Sequence, residues 1–141
     1  MKRSHFDMDI SKVKLNLEMK ERKADAAAIA AMQKSVDDLE RIATNIAPID
    51  TGQLRRSATK SVKPMPGGVV MGEVGFSAYN ESFNYAIWTH EMPYNLGPQS
   101  QAAPGTDGYS VGNKYLSRPL YGEAPKYLAW WAAALGQAIK D

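Results

Sequence analysis

Ile29-Ala30-Ala31-Met32-Gln33-Lys34-Ser35-Val36-Asp37-Asp38-Leu39-Glu40-Arg41-Ile42-Ala43-Thr44-Asn45-Ile46-Ala47-Pro48 is the stretch that decides the architecture. Ile29, Met32, Val36, Leu39, Ile42 and Ile46 recur at steps of three and four, the period of an amphipathic helix. Ala26-Ala27-Ala28, Ala30 and Ala31 add the highest helix propensity available. The spacing predicts a helix over residues 24–47. Pro48 ends it, because an interior proline costs on the order of 3 kcal/mol. The stripe is narrow enough for a coiled-coil seam, but it is shorter than four heptads, so packing on a sheet is the better reading.

Downstream, residues 54–90 read as β-structure. Val70, Val74 and Phe76 share one parity around Gly72, and Val62 can pair opposite them. Pro64, Pro66, Gly67 and Gly68 supply the turn between. Tyr85, Ile87 and Thr89 alternate with Ala86, Trp88 and His90, which predicts a further strand. Residues 92–113, rich in Gly and Pro, read as a long loop, functional or mobile, free in an isolated subunit and ordered against a neighbour. Ser117 can cap a helix over 117–140, with Pro119 in its first turn. Pro125 either restarts or kinks that helix, and Leu128, Trp131, Leu135 and Ile139 hold one face. Upstream, residues 1–23 form an arm: Phe6, Met8 and Ile10 alternate as a short strand, and Ser11 caps a helix after it. The order of elements defines one α+β domain over 1–141. A small antiparallel sheet packs against the long helix and the C-terminal helix, with the loop between them.

Composition narrows the chemistry. A chain of 141 residues can bury a core of its own. No apolar run approaches the roughly 20 residues of a membrane span, and no apolar signal core follows the basic Met1-Lys2-Arg3 start. The expectation is a protein made and used inside a cell or packed into a particle. There is no cysteine, and His5 and His90 are the two histidines. Disulfides, thiolate zinc sites and multi-histidine metal sites within one chain are therefore excluded. Net charge is +2, but the sign varies along the chain. Residues 1–23 carry seven Lys/Arg against four Asp/Glu, whereas residues 67–105 carry Glu73, Glu81 and Glu91 and no Lys or Arg. Such blocks suit either a mixed solvated surface or a subunit with unlike faces.

Asp50-Thr51-Gly52 invites comparison with half of a dimeric aspartic protease, in which two carboxylates share a proton. The context argues for a turn instead. Asp50 follows a long helix and its terminal proline, and Arg55-Arg56 come next; Asp and Gly are the residues a turn uses. His90-Glu91 lacks the second histidine of a zinc-protease helix, and Pro93 interrupts the pattern. Arg55, Arg56, Lys60 and Lys63 form a basic run. On a strand Arg56 and Lys60 share a face and are the candidate DNA-channel residues, binding phosphates without sequence specificity; the alternative is an edge strand blunted by charge. Trp130 and Trp131 point about 100° apart on a helix. Trp131 fits the core and Trp130 an interface, since aromatics are enriched in interface cores.

Three stretches together resemble one family. They are Pro48-Ile49-Asp50-Thr51-Gly52-Gln53-Leu54-Arg55-Arg56-Ser57, Tyr85-Ala86-Ile87-Trp88-Thr89-His90-Glu91 and Lys114-Tyr115-Leu116-Ser117-Arg118-Pro119-Leu120. Their order and spacing resemble the head–tail joining proteins (neck, tail-completion or minor-capsid type) of long-tailed double-stranded DNA bacteriophages. The resemblance covers most of residues 24–140; the loop from Met92 to Asn113 is longer than the family's pattern. It implies a structural virion protein at the head–tail junction, assembled in the host cytoplasm as a ring, of six subunits by family analogy. The ring would sit between the head connector or stopper and the tail terminator or tail tube. It implies neither catalysis nor a cofactor. Pro48, Asp50, Thr51, Gly52, Leu54, Arg55 and Ser57 would be a structural turn motif. Trp88, His90, Glu91, Tyr121 and Trp130 are the candidate interface residues.

Overall fold

The fold is taken from a computed structural model that describes residues 5–8, 12–18, 25–49, 52–66, 68–80, 83–92 and 94–140. Its α+β architecture has two layers. Strands β1 (His5–Met8), β2 (Lys12–Glu18), β3 (Thr59–Met65) and β4 (Val69–Gly75) form one antiparallel sheet in the order β1-β2-β4-β3. Helix α1 (Asp25–Ile46) lies across one face of it, and α5 (Ser117–Lys140) lies against α1. Between them come a short helix α2 (Gln53–Arg56), a two-residue ribbon of β5 (Tyr79–Asn80) and β6 (Phe83–Asn84), α3 (Tyr85–Glu91) and α4 (Pro98–Ala102).

The stripe on α1 is the spine of the core. Met32, Val36, Leu39, Ile42 and Ile46 are fully buried, and Ala28, Ala31, Ser35 and Ala43 widen the buried face so that it meets both sheet and α5. Ile29 lies outside this face and is exposed. The strand pair expected around Gly72 forms as read: Val62 stands opposite Gly72, with Val70 and Val74 buried on the same face. Gly72 is where α1 comes closest to the sheet. A Cβ there would lie 2.5 Å from the Met32 sulfur and 2.7 Å from Val36 Cγ1, inside any normal contact. The opposite sheet face, with Lys14, Ser61 and Lys63 beside Met71 and Glu73, follows from the register.

Three expectations are corrected. The helix expected after Ser11 is strand β2. Helical spacing of Val13 and Leu17 leaves Leu15 aside, whereas pairing with β4 sets Leu15 opposite Gly72 and Leu17 opposite Val70 and buries both. Ser11 itself lies outside the described residues. The strand expected over Tyr85–His90 is helix α3. Asn84 caps it by accepting from the Ala86 amide at 3.1 Å, and Ala86 and His90, one turn apart, form its buried side. The β-region expected to start at Leu54 begins instead with α2, and the sheet resumes at Thr59.

The segment 92–113 carries structure of its own. Besides α4, Thr106 and Tyr109 exchange two backbone hydrogen bonds around Asp107 and Gly108, both at positive φ, the two-residue hairpin turn that Asp-Gly favours. Arg41 grips Asp107 with two hydrogen bonds of 2.9 Å, and the Gly112 amide donates to Ile46 O at 3.0 Å. Pro125 lies inside α5, which runs continuously across it with the proline on the exposed side, where water can take the carbonyl it leaves. Of the face expected on α5, Trp131 is buried, Leu135 is half-buried and Leu128 is exposed. The side chain of Ile139 lies outside the described residues.

Candidate functional site

The stretch from Pro48 to Ser57 joins the end of α1 to the sheet, and several of its described residues have a structural task. Gly52 takes φ +85°, the left-handed region that glycine enters at no cost. Leu54 is buried in the core. Arg55 reaches back to the C-terminus of α1, donating to Ala47 O at 2.8 Å and to Asn45 O at 3.1 Å. A guanidinium there satisfies carbonyls without helical partners and sits at the negative end of the helix dipole. Ser57 donates to Leu54 O and accepts from the Ser77 amide, tying α2 to the connection between β4 and β5. The Asp50 and Thr51 part of the turn lies outside the described residues.

Beside this turn opens a cavity of about 490 Å³. Leu54, Tyr85, Trp88, Tyr94, Leu96 and Pro98 line it, with Ser100 among the polar groups. Trp88 and Tyr94 stack at 5.1 Å between ring centroids. Among the described residues no charged side chain lines the cavity, and the hydroxyls that line it are engaged. Tyr94 donates to Thr89 O at 2.6 Å, Thr89 to Tyr85 O at 2.8 Å and Tyr85 to Gln53 Oε1 at 2.9 Å. Buried Ser100 accepts from the Ile49 amide at 2.8 Å. Burial pushes the Tyr94 phenol up to about 12, so it remains a neutral donor. The described lining therefore offers apolar surface together with the amide side chains of Asn95 and Gln99.

His90 is removed from the candidate interface. It is buried between α3 and the start of α5, its ring edge-on to Tyr115. Nε2 accepts from the Ser117 amide at 3.3 Å, so Nδ1 carries the proton and donates to Glu91. Glu91 in turn pairs with Lys114 at 2.9 Å. Burial lowers the His90 pKa, against the pull of Glu91. Trp130 is half-buried, flanked by the ammonium groups of Lys34 (4.1 Å from the ring centroid) and Lys126 (5.1 Å). Trp88 and Tyr121 are exposed, as an interface role requires.

The basic pair does not form. Arg56 belongs to α2 and Lys60 to β3, so strand alternation does not place them on one face. Lys60 opposes Val74 on the α1 side of the sheet, where its ammonium meets Asp37 at 3.0 Å and Glu40 at 3.3 Å. Those carboxylates neutralise the charge that phosphates would need. Among the described residues no cluster of three or more His, Cys, Asp or Glu could hold a metal ion, and no helix is long and apolar enough to cross a membrane.

The feature that the sequence analysis assigned only at Tyr121 is the outer face of α5. Its exposed positions from Tyr121 to Gly136 are Tyr, Leu, Pro, Ala and Gly, with no charge among them. Glu123 and Lys126, the charged residues within that span, turn inward to Tyr109 and Asp38. The signal was present as Tyr121, Pro125, Leu128 and Ala132 at helical spacing; their common exposure required the packing of α5 on α1. No family model, curated protein or solved structure matches the chain.

Proposed function

We propose that this chain is a structural protein of the neck of a long-tailed double-stranded DNA phage. Copies of it would form a ring, of six subunits by the resemblance, that joins the head connector to the tail. The observation that supports this most is the uncharged outer face of α5. A solvated helix carries charge on its outside, whereas a face of exposed Tyr, Leu, Pro and Ala suits contact with another protein. The Pro48–Ser57 stretch that carries the resemblance is consistent with this, since Leu54, Arg55 and Ser57 are engaged in holding α1 to the sheet.

The test is deletion of the gene in the phage that carries it. Filled heads and separate tails, with few joined particles in electron micrographs of the lysate, are the expected outcome. Normal joined virions, or absence of the protein from purified particles, overturn the reading. Cleavage of a peptide that is lost in Asp50→Asn would overturn it in favour of the protease.

A further inference from the structure

His90 lies where α3 meets the chain entering α5. It and Ala86, one turn apart, are the buried side of α3, and the His90 side chain is 1 % exposed. Its Nε2 accepts from the Ser117 amide in the first turn of α5, at 3.3 Å. Its Nδ1 donates to Oε2 of Glu91, the same oxygen that Lys114 Nζ holds at 2.9 Å. The junction has two further ties: the Lys114 amide donates to His90 O at 2.8 Å, and the Tyr115 hydroxyl donates to Ala86 O at 2.7 Å.

We infer that His90 is an acid-released latch: protonation of its ring parts α3 from the start of α5 while α1 and the sheet stay packed. Closure requires a neutral ring for three reasons. Protonated Nε2 is a donor aimed at the Ser117 N–H, so an accepted bond becomes two donors face to face. The imidazolium would also lie at the positive end of the α5 dipole, where a cation is disfavoured. The charges around the ring oppose it as well. Glu91 on α3 attracts the proton, but Lys114 from the connecting segment shares its oxygen and Arg118 on α5 adds a second cation. Burial keeps the Tyr115 phenol neutral, so it offsets neither cation. Burial of the ring, with Lys114 and Arg118, thus prevails over Glu91.

Among the described residues His90 is the one buried side chain whose ordinary pKa lies between pH 5 and 8. The contacts of Met32, Val36, Leu39 and Ile42 in the α1–sheet core do not depend on this proton, so the junction can open without them. In the opened junction the ring is in water, with its ordinary pKa of about 6.5. Between pH 7.5 and 5.5 the open form then gains up to about tenfold over the closed one. The inference concerns this chain alone and does not depend on what it assembles with.

The chain has no cysteine, so a single introduced thiol can report the opening. Ala86→Cys places it on the buried side of α3, and Ala43→Cys places a control on the buried side of α1. Each protein is labelled with dithiodipyridine, which reacts with thiols in mild acid, and the rate is divided by that of the unfolded chain at the same pH. From pH 7.5 to 5.5 the Ala86→Cys ratio should rise about three- to tenfold. Adding His90→Gln should abolish the rise. The Ala43→Cys ratio should be at least about tenfold smaller at every pH, because global unfolding alone exposes that thiol. Equal ratios at the two thiols mean that the whole domain opens, and they overturn the latch. So does a flat Ala86→Cys ratio, or a rise that survives His90→Gln. If a variant fails to fold, ring-nitrogen NMR of the unsubstituted protein decides. An Nδ1–H tautomer titrating below about 6.5 is the expected result; an Nε2–H tautomer, or titration at or above that value, overturns the inference.

Discussion

The indole N–H of Trp131 donates to the hydroxyl of Ser35 at 2.9 Å, and both residues are buried where α5 crosses α1. Ser35 passes its own proton to Ala31 O at 2.9 Å, so the pair is a closed polar contact inside an apolar interface. Ser35→Ala leaves a buried N–H without this acceptor, which should cost about 1–3 kcal/mol. In Ser35→Ala/Trp131→Phe the donor goes too, so denaturant unfolding should show the double variant less destabilised than the sum of the singles. Strict additivity would mean that the hydrogen bond contributes nothing.

Arg55 closes the C-terminus of α1 through Ala47 O and Asn45 O. Arg55→Met keeps most of the stem and removes the donors. Charge-assisted hydrogen bonds are each worth about 1.5–3 kcal/mol, less here because one of the two is exposed. The expected loss is about 1–2 kcal/mol, with amide exchange accelerated in the last turn of α1. A thermal midpoint equal to the parent's would contradict the capping role.

Gly72 has no room for a side chain, with Met32 and Val36 against it. Gly72→Ala forces the stiff Val36 or the Met32 thioether to move, and overpacking of this kind costs about 1–3 kcal/mol. Val36→Ala, destabilising alone, should partly relieve Gly72→Ala when the two are combined. Chemical denaturation of the four proteins measures that coupling.

His90 is held neutral by burial, with its pKa below that of the unfolded chain. The unfolded state then takes up the proton first as pH falls. Stability is therefore full above about pH 6.5, the unfolded value, and declines below it until the folded-state pKa is reached. Protonation of Nε2 would also break its acceptance from the Ser117 amide. His90→Gln should be less stable at pH 8 but show a flatter profile between about pH 6.5 and 5, above the range where carboxylates titrate. Parallel profiles for parent and variant would exclude His90 as the source of the slope.

The segment 92–113 should be protected in the isolated subunit, because Tyr109, Gly112 and Lys114 amides donate to Thr106, Ile46 and His90 carbonyls. Arg41→Ala should speed exchange around Thr106–Tyr109, while global stability changes by less than about 1 kcal/mol, as for an exposed ion pair. Coil-like exchange across the segment in the parent would show that these ties are not formed.

The sequence by itself determined the elements whose periodicity is long or whose turn chemistry is strong. The α1 stripe from Met32 to Ile46 and its stop before Pro48, the pairing of Val62 opposite Gly72, and the C-terminal helix from Ser117 stand as read, whereas Ile29 falls outside the stripe. Short segments were decided by tertiary contact. Seven residues such as Lys12–Glu18 or Tyr85–Glu91 satisfy both periods, and the choice fell to what lay beside them: the free side of β4 for the first, the Asn84 cap and Tyr115 for the second. Asp107-Gly108 has the chemistry of a hairpin turn, which the reading of 92–113 as a long loop passed over, and Arg41, 66 residues away, anchors it. The candidate site divides in the same way. Within the turn motif, the left-handed Gly52 and the Arg55 cap act on near neighbours, and Gly52 was legible for that reason. The groove and the bare face of α5 were not, because a cavity and an exposed face are defined by which residues distant in sequence come to lie together, and spacing along one element cannot tell a buried leucine from an exposed one.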